Sequence, residues 1–107
     1  MALVDNLEAM LARGQESALL RYGLGSEYVK LGEPGRAIEH LRRAVELDPA
    51  YSAAWKALGQ ALAAAGRGED AIEAYQQGIR AAEGRGDKQA AKEMGVFLKR
   101  LRRAQSE

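Results

Sequence analysis

Cysteine is absent from this chain of 107 residues, which removes disulfides, thiolate nucleophiles and thiolate metal ligands at once. A lone histidine, His40, cannot build a histidine-rich metal site. Aromatic residues make up only 6% of the chain, and only two prolines interrupt it. Charge of one sign is also missing: the net charge of +1 argues against a surface that coats nucleic acid or membrane in general. No uninterrupted apolar run approaches the ~20 residues that a membrane-crossing helix needs. The opening MALVDNLEAML lacks a basic flank and carries Asp5 and Glu8, so it does not read as a signal peptide, and a cytoplasmic location is expected. Ser17, Ser26, Ser52 and Ser106 lie in no nucleophile-elbow context. The glycine pairs Gly23/Gly25 and Gly84/Gly86 lack the strand–turn–helix setting of phosphate loops. The expectation is a protein without catalytic residues, cofactor or metal.

What is present is helical periodicity. No segment alternates as a half-buried strand would, and the breakers divide the chain into six expected helices. The first, about 3–13, lines up Leu3, Leu7, Met10 and Leu11 and stops at Gly14. The second runs from an N-cap at Ser17 to Leu31 and stops at Gly32. Pro34 opens the third, which Asp48-Pro49 closes near Leu47. The fourth spans about 51–65 and ends at Gly66. The fifth opens on Glu69 and Asp70, suited to its N-terminal dipole, and runs to about Glu83. The sixth, about 87–104, places Ala90, Met94, Phe97, Leu98 and Leu101 on one side. His40, between Glu39 and Leu41, is expected to face outward.

Shifting the chain by 34 residues superimposes Leu24 on Leu58, Gly25 on Gly59, Gly32 on Gly66, Ala37 on Ala71, Ile38 on Ile72 and Glu39 on Glu73. Such a period marks supersecondary units that bury their apolar faces only by stacking. Glycine within a helix costs ~1 kcal/mol relative to alanine, so Gly25, Gly59 and Gly78 call for a compensating close approach.

These residues resemble the tetratricopeptide repeat, whose signature includes W-x2-L-G-x2-Y followed by A-x3-F. Residues 52–85 carry Trp55, Leu58, Gly59, Leu62, Ala71 and Tyr75, with Glu83 where proline is usual. Residues 18–51 carry Leu24, Gly25, Tyr28, Ala37, Leu41, Ala44 and Pro49, with Arg21 in the tryptophan place. Residues 1–17 look like the second helix of a truncated unit, since Leu3, Leu7 and Met10 lie 34 before Ala37, Leu41 and Ala44. Residues 86–107 look like a capping helix: the same step from Leu58, Gly59 and Leu62 lands on Lys92, Glu93 and Val96, without the small-residue signature.

The resemblance implies one all-α domain, a right-handed α-α superhelix of stacked antiparallel helix pairs, acting as a non-catalytic protein-interaction module. Its concave groove would take a partner peptide through Leu19, Tyr22, Ser26, Val29, Ala53, Lys56, Gln60, Ala63, Met94 and Phe97. A two-carboxylate clamp for a ligand's C-terminus, known in one subfamily, would need Lys, Asn or Arg at Tyr22, Ser26, Ala57, Asp87 and Ala91, and none matches. Two other readings come from different classes. One is nucleic-acid binding by the basic last helix, with Lys99, Arg100, Arg102 and Arg103 crowding its end, although no interleaved aromatics accompany them. The other is a structural, self-associating scaffold that pairs through the terminal helices, the chain being a monomer or a weak homodimer.

Overall fold

The computed structural model describes residues 2–106, which form six α-helices and no strand. They are α1 (Leu3–Ala12), α2 (Ala18–Lys30), α3 (Pro34–Leu47), α4 (Ser52–Ala64), α5 (Gly68–Gly84) and α6 (Lys88–Ser106). The sequence punctuation accounts for most of these limits. The Ser17 side chain accepts a hydrogen bond from the Leu20 N–H at 3.0 Å and starts α2. Gly32 (φ 74°) and Gly66 (φ 78°) take the left-handed conformation that side chains resist, just after α2 and α4. Asp48, held extended ahead of Pro49, ends α3.

Each helix packs antiparallel on the next, while α2 touches α4 and α4 touches α6. The backbones of the odd-numbered helices stay farther apart, bridged by long polar side chains such as Arg42 to Asp70 at 3.9 Å. The even-numbered helices therefore crowd one side of the stack and the odd-numbered ones splay on the other, which curves the array. Leu24, Leu41, Leu62 and Met94 are the largest fully buried side chains, one from each of α2, α3, α4 and α6. Burial of each such side chain stabilises by roughly 1.5–3 kcal/mol. Gly25, Gly59 and Gly78 sit where crossings are tightest. A β-carbon on Gly25 would strike the Leu41 side chain, one on Gly59 the Tyr75 ring, and one on Gly78 Met94 and the Trp55 β-carbon.

The last helix departs from the expected register. Glu83 stands where proline ended α3, so α5 runs on to Gly84 and the turn falls at Gly86 (φ 73°). Asp87 then caps α6, its Oδ1 accepting from the Ala90 N–H at 3.0 Å. Leu58, Gly59 and Leu62 consequently correspond to Met94, Gly95 and Leu98, a spacing of 36 residues rather than 34. The small-residue signature is present in α6, displaced by two positions. This displacement corrects two groove expectations: Met94 is fully buried, and Phe97 packs against the core with its ring stacked on Tyr75 at 5.7 Å.

His40 is also corrected. It is only 8% exposed, stacked on the Tyr28 ring at 5.6 Å in a polar seam joining α1, α2 and α3. Arg21 donates from Nη1 to His40 Nδ1 at 3.0 Å, and because arginine cannot accept, neutral His40 carries its proton on Nε2, which faces Glu8 at 3.8 Å. Glu8 in turn accepts from the Tyr28 hydroxyl at 2.6 Å. Arg21 and Arg43 converge on Glu16 at 2.8 and 2.6 Å. Arginine in the usual tryptophan place thus has one partner on α3 and another in the loop before α2. Burial holds the His40 pKa below its ordinary value; Glu8 and Glu39 oppose this, and Arg21 reinforces it.

Candidate interaction groove

The crowded side of the stack holds a shallow open recess of about 310 Å3 between α2 and α4. Helical spacing puts Tyr22, Ser26 and Val29 on one face of α2, and Ala53, Lys56 and Gln60 on the matching face of α4. All six line the recess, joined by Lys30 and Ala57. Leu19, 70% exposed, lies instead in an adjoining recess nearer α1, and Ala63 leans against the core. Met94 and Phe97 contribute nothing to it, for the register reason given above.

Tyr22 is held in place by Tyr51 from the loop before α4, with ring centres 5.1 Å apart and planes tilted by 44°. That loop is itself anchored, because Trp55 Nε1 donates to the Pro49 carbonyl at 2.8 Å and Arg85 donates to the Ala50 carbonyl at 3.2 Å. The apolar wall is therefore the Tyr22 ring of α2, backed by a braced turn.

The charge of the recess is set by partners that spacing alone does not reveal. Lys56 Nζ lies 2.7 Å from Glu93 on α6, and Gln89 adds a second hydrogen bond to that carboxylate at 3.2 Å. The Lys56 ammonium is the main reason the Glu93 carboxyl sits below the ordinary carboxylate range, with Gln89 assisting. Lys56 thus enters the recess already neutralised. Lys30 pairs with Glu27 at 3.1 Å but keeps a side chain 73% exposed, so it is the cation most available at the rim. The 36-residue correspondence would have placed Lys92 and Val96, rather than Met94, on the groove side of α6, and Val96 is indeed 45% exposed.

No group of three or more potential metal-ligating side chains occurs among the described residues. No helix among them is long and apolar enough to cross a membrane. At the basic end of α6, Arg100 lies over Phe97 at 6.0 Å, while Phe97 itself is stacked on Tyr75, so that ring is not free to stack on a base.

Comparison with known proteins matches these features to one family. The tetratricopeptide repeat model matches residues 22–86. The TPR repeat-containing protein PA0015 of Pseudomonas aeruginosa is 53% identical over 104 residues, covering 97% of this chain and 99% of that protein. The solution structure of BPP2914 from Bordetella parapertussis superimposes with a TM-score of 0.83 at 45% identity, covering 97% of this chain and 90% of that one. The crystal structure of YrrB, described as a TPR protein with an unusual peptide-binding site, gives a TM-score of 0.64 at 27% identity, covering 92% of this chain and 58% of that one. Paired helices with glycines at their crossings, a tryptophan bracing the inter-repeat turn and a matching family profile place this chain in the tetratricopeptide repeat family, whose members generally mediate protein–protein interaction.

Proposed function

We propose that the protein is a non-catalytic interaction module that holds a segment of a partner polypeptide in the recess between α2 and α4. One observation carries this reading: side chains from two helices distant in sequence line a single open recess, with a braced aromatic ring beside amide, hydroxyl and amine groups. An aromatic anchor with sparse polar groups suits peptide recognition, because the ring contributes area while the polar groups fix register. The peptide-binding site ascribed to YrrB lends support from a relative of the same architecture. The two-carboxylate clamp is absent, so the ligand's terminus is not the expected handle; contacts along its length are.

The test starts from peptides selected on the intact protein from a displayed random library. Titrating a selected peptide into isotope-labelled protein should shift the amides of Ser26, Val29, Ala53 and Gln60. Tyr22→Ala should weaken that peptide about tenfold or more, the loss of one aromatic anchor. A second depression lies on the opposite side, where Arg42, Glu46, Trp55 and Glu73 surround about 220 Å3. Shifts confined to that outer depression would overturn the assignment.

A further inference from the structure

The two ends of the stack present complementary halves of one repeat unit. Within the molecule, each second helix presents a large side chain to a glycine on its first helix: Leu41 of α3 to Gly25 of α2, and Tyr75 of α5 to Gly59 of α4. In α6 the corresponding glycine is Gly95, and a β-carbon built there meets nothing within 4 Å. Among the described residues, α6 therefore has the face of a first helix with no second helix packed on it. At the other end, Leu3, Leu7 and Met10 of α1 hold the places that Ala37, Leu41 and Ala44 hold in α3. Those three α3 residues are fully buried against α2, whereas Leu3 is 53% exposed and no residue of α1 is buried. Among the described residues no first helix covers α1, and Leu3, Leu7, Met10 and Leu19 border an open recess of about 710 Å3 where one would lie.

We propose that these ends engage each other between copies of this chain, α6 of one copy against α1 of the next, with Leu7 seated on Gly95 as Leu41 is seated on Gly25. Charge favours this occupant over others. The charged residues of α1 are Asp5 and Glu8, while α6 carries six basic residues against the single acid Glu93. A head attracts a tail, whereas two tails placed together about a two-fold axis repel. The exposed Leu19 and the seat of Gly23 beside Leu7 would be covered by the incoming α6, as α4 covers the inner edge of α2. The contact joins unlike surfaces, so it does not close on itself; it propagates the superhelix. The incoming helix would border the α2–α4 recess, because Tyr22, Ser26 and Lys30 line both, so assembly is read on the protein without peptide and stands or falls separately from peptide binding.

Sedimentation velocity on the intact protein, over a concentration series at low ionic strength, reads the assembly directly. The parent should climb past the dimer without a plateau. Gly95→Gln fills the tail seat at an open position, and Leu3→Glu places a charge in the head seat. Each variant alone should remain monomeric, with a thermal melt showing that it is folded; Gly95→Ala is a milder replacement for the tail variant. Mixed in equal amounts, the two variants should form a one-to-one dimer and nothing larger, because each retains one intact end. The proposal is overturned by a parent that stays monomeric throughout or stops at a dimer, by a folded variant that still self-associates, or by a mixture that stays monomeric.

Discussion

Gly59 lies so close beneath Tyr75 that a β-carbon added to it would stand 2.6 Å from the phenol ring. The contact is with a side chain rather than with the neighbouring backbone, and it explains why glycine persists inside α4 against its helix propensity. Burial of that ring pushes the Tyr75 hydroxyl up to about 12, as expected for a phenol sealed between two helices.

Two glycine substitutions should accordingly move stability in opposite directions. Gly59→Ala gains about 1 kcal/mol of helix propensity but forces Tyr75 aside, with a typical overpacking cost of about 1–3 kcal/mol, so a net loss is expected. Gly95→Ala has the same propensity gain and meets no neighbour, so it should stabilise by about 1 kcal/mol. Denaturant midpoints at constant slope would measure both. A stabilised Gly59→Ala would show that the crossing is looser than described.

Met94→Ala should destabilise by about 2–5 kcal/mol, the range for emptying a sealed core site. Were Met94 a groove residue, the same change would leave the melt nearly untouched and weaken only ligand binding. Chemical denaturation separates the two outcomes.

The seam around His40 predicts a specific pH response. Its folded pKa lies below the unfolded value of 6.5, so the native state binds fewer protons than the unfolded chain in the window beneath that value. Stability from neutral His40 is fully present above pH 6.5 and is lost as pH falls through the folded pKa. Glu16 and Glu93 are also depressed, through Arg21 and Lys56 chiefly, so their contribution is complete above their ordinary value of 4.5 and is lost on further acidification. Unfolding free energy against pH should therefore fall in two stages. His40→Gln, which retains an acceptor for Arg21 without titrating, should erase the upper stage and spare the lower; an unchanged upper stage would place its origin elsewhere.

Glu93→Gln should release Lys56 into the groove. Peptides bearing an acidic residue near that position should then bind about two- to fivefold tighter, the worth of one partly exposed ion pair, and basic ones correspondingly weaker. Isothermal titration of matched acidic and neutral peptides checks this, and equal gains for both would exclude a charge effect.

The order and limits of the helices were legible because local chemistry sets them. Ser17, Gly32, Pro34, Asp48-Pro49 and Gly66 act on their own few residues of backbone, and periodicity marks each apolar stripe. The match of Gly25 with Gly59 was legible too, since a packing solution used twice leaves the same residues twice. The α6 register was missed because strict periodicity was carried past Glu83, where no proline stopped α5; the recurrence of Leu58-Gly59 as Met94-Gly95 was the available signal.

Sequence alone determined that this is a stack of helix pairs of the tetratricopeptide kind, because turn chemistry and spacing are properties of neighbouring residues. Tertiary structure alone decided that His40 is buried between Arg21, Tyr28 and Glu8, that Lys56 is neutralised by Glu93, and that Met94 lies in the core. Each of those outcomes depends on which side chain arrives from another helix, and a side chain's charge state and exposure follow from those distant partners.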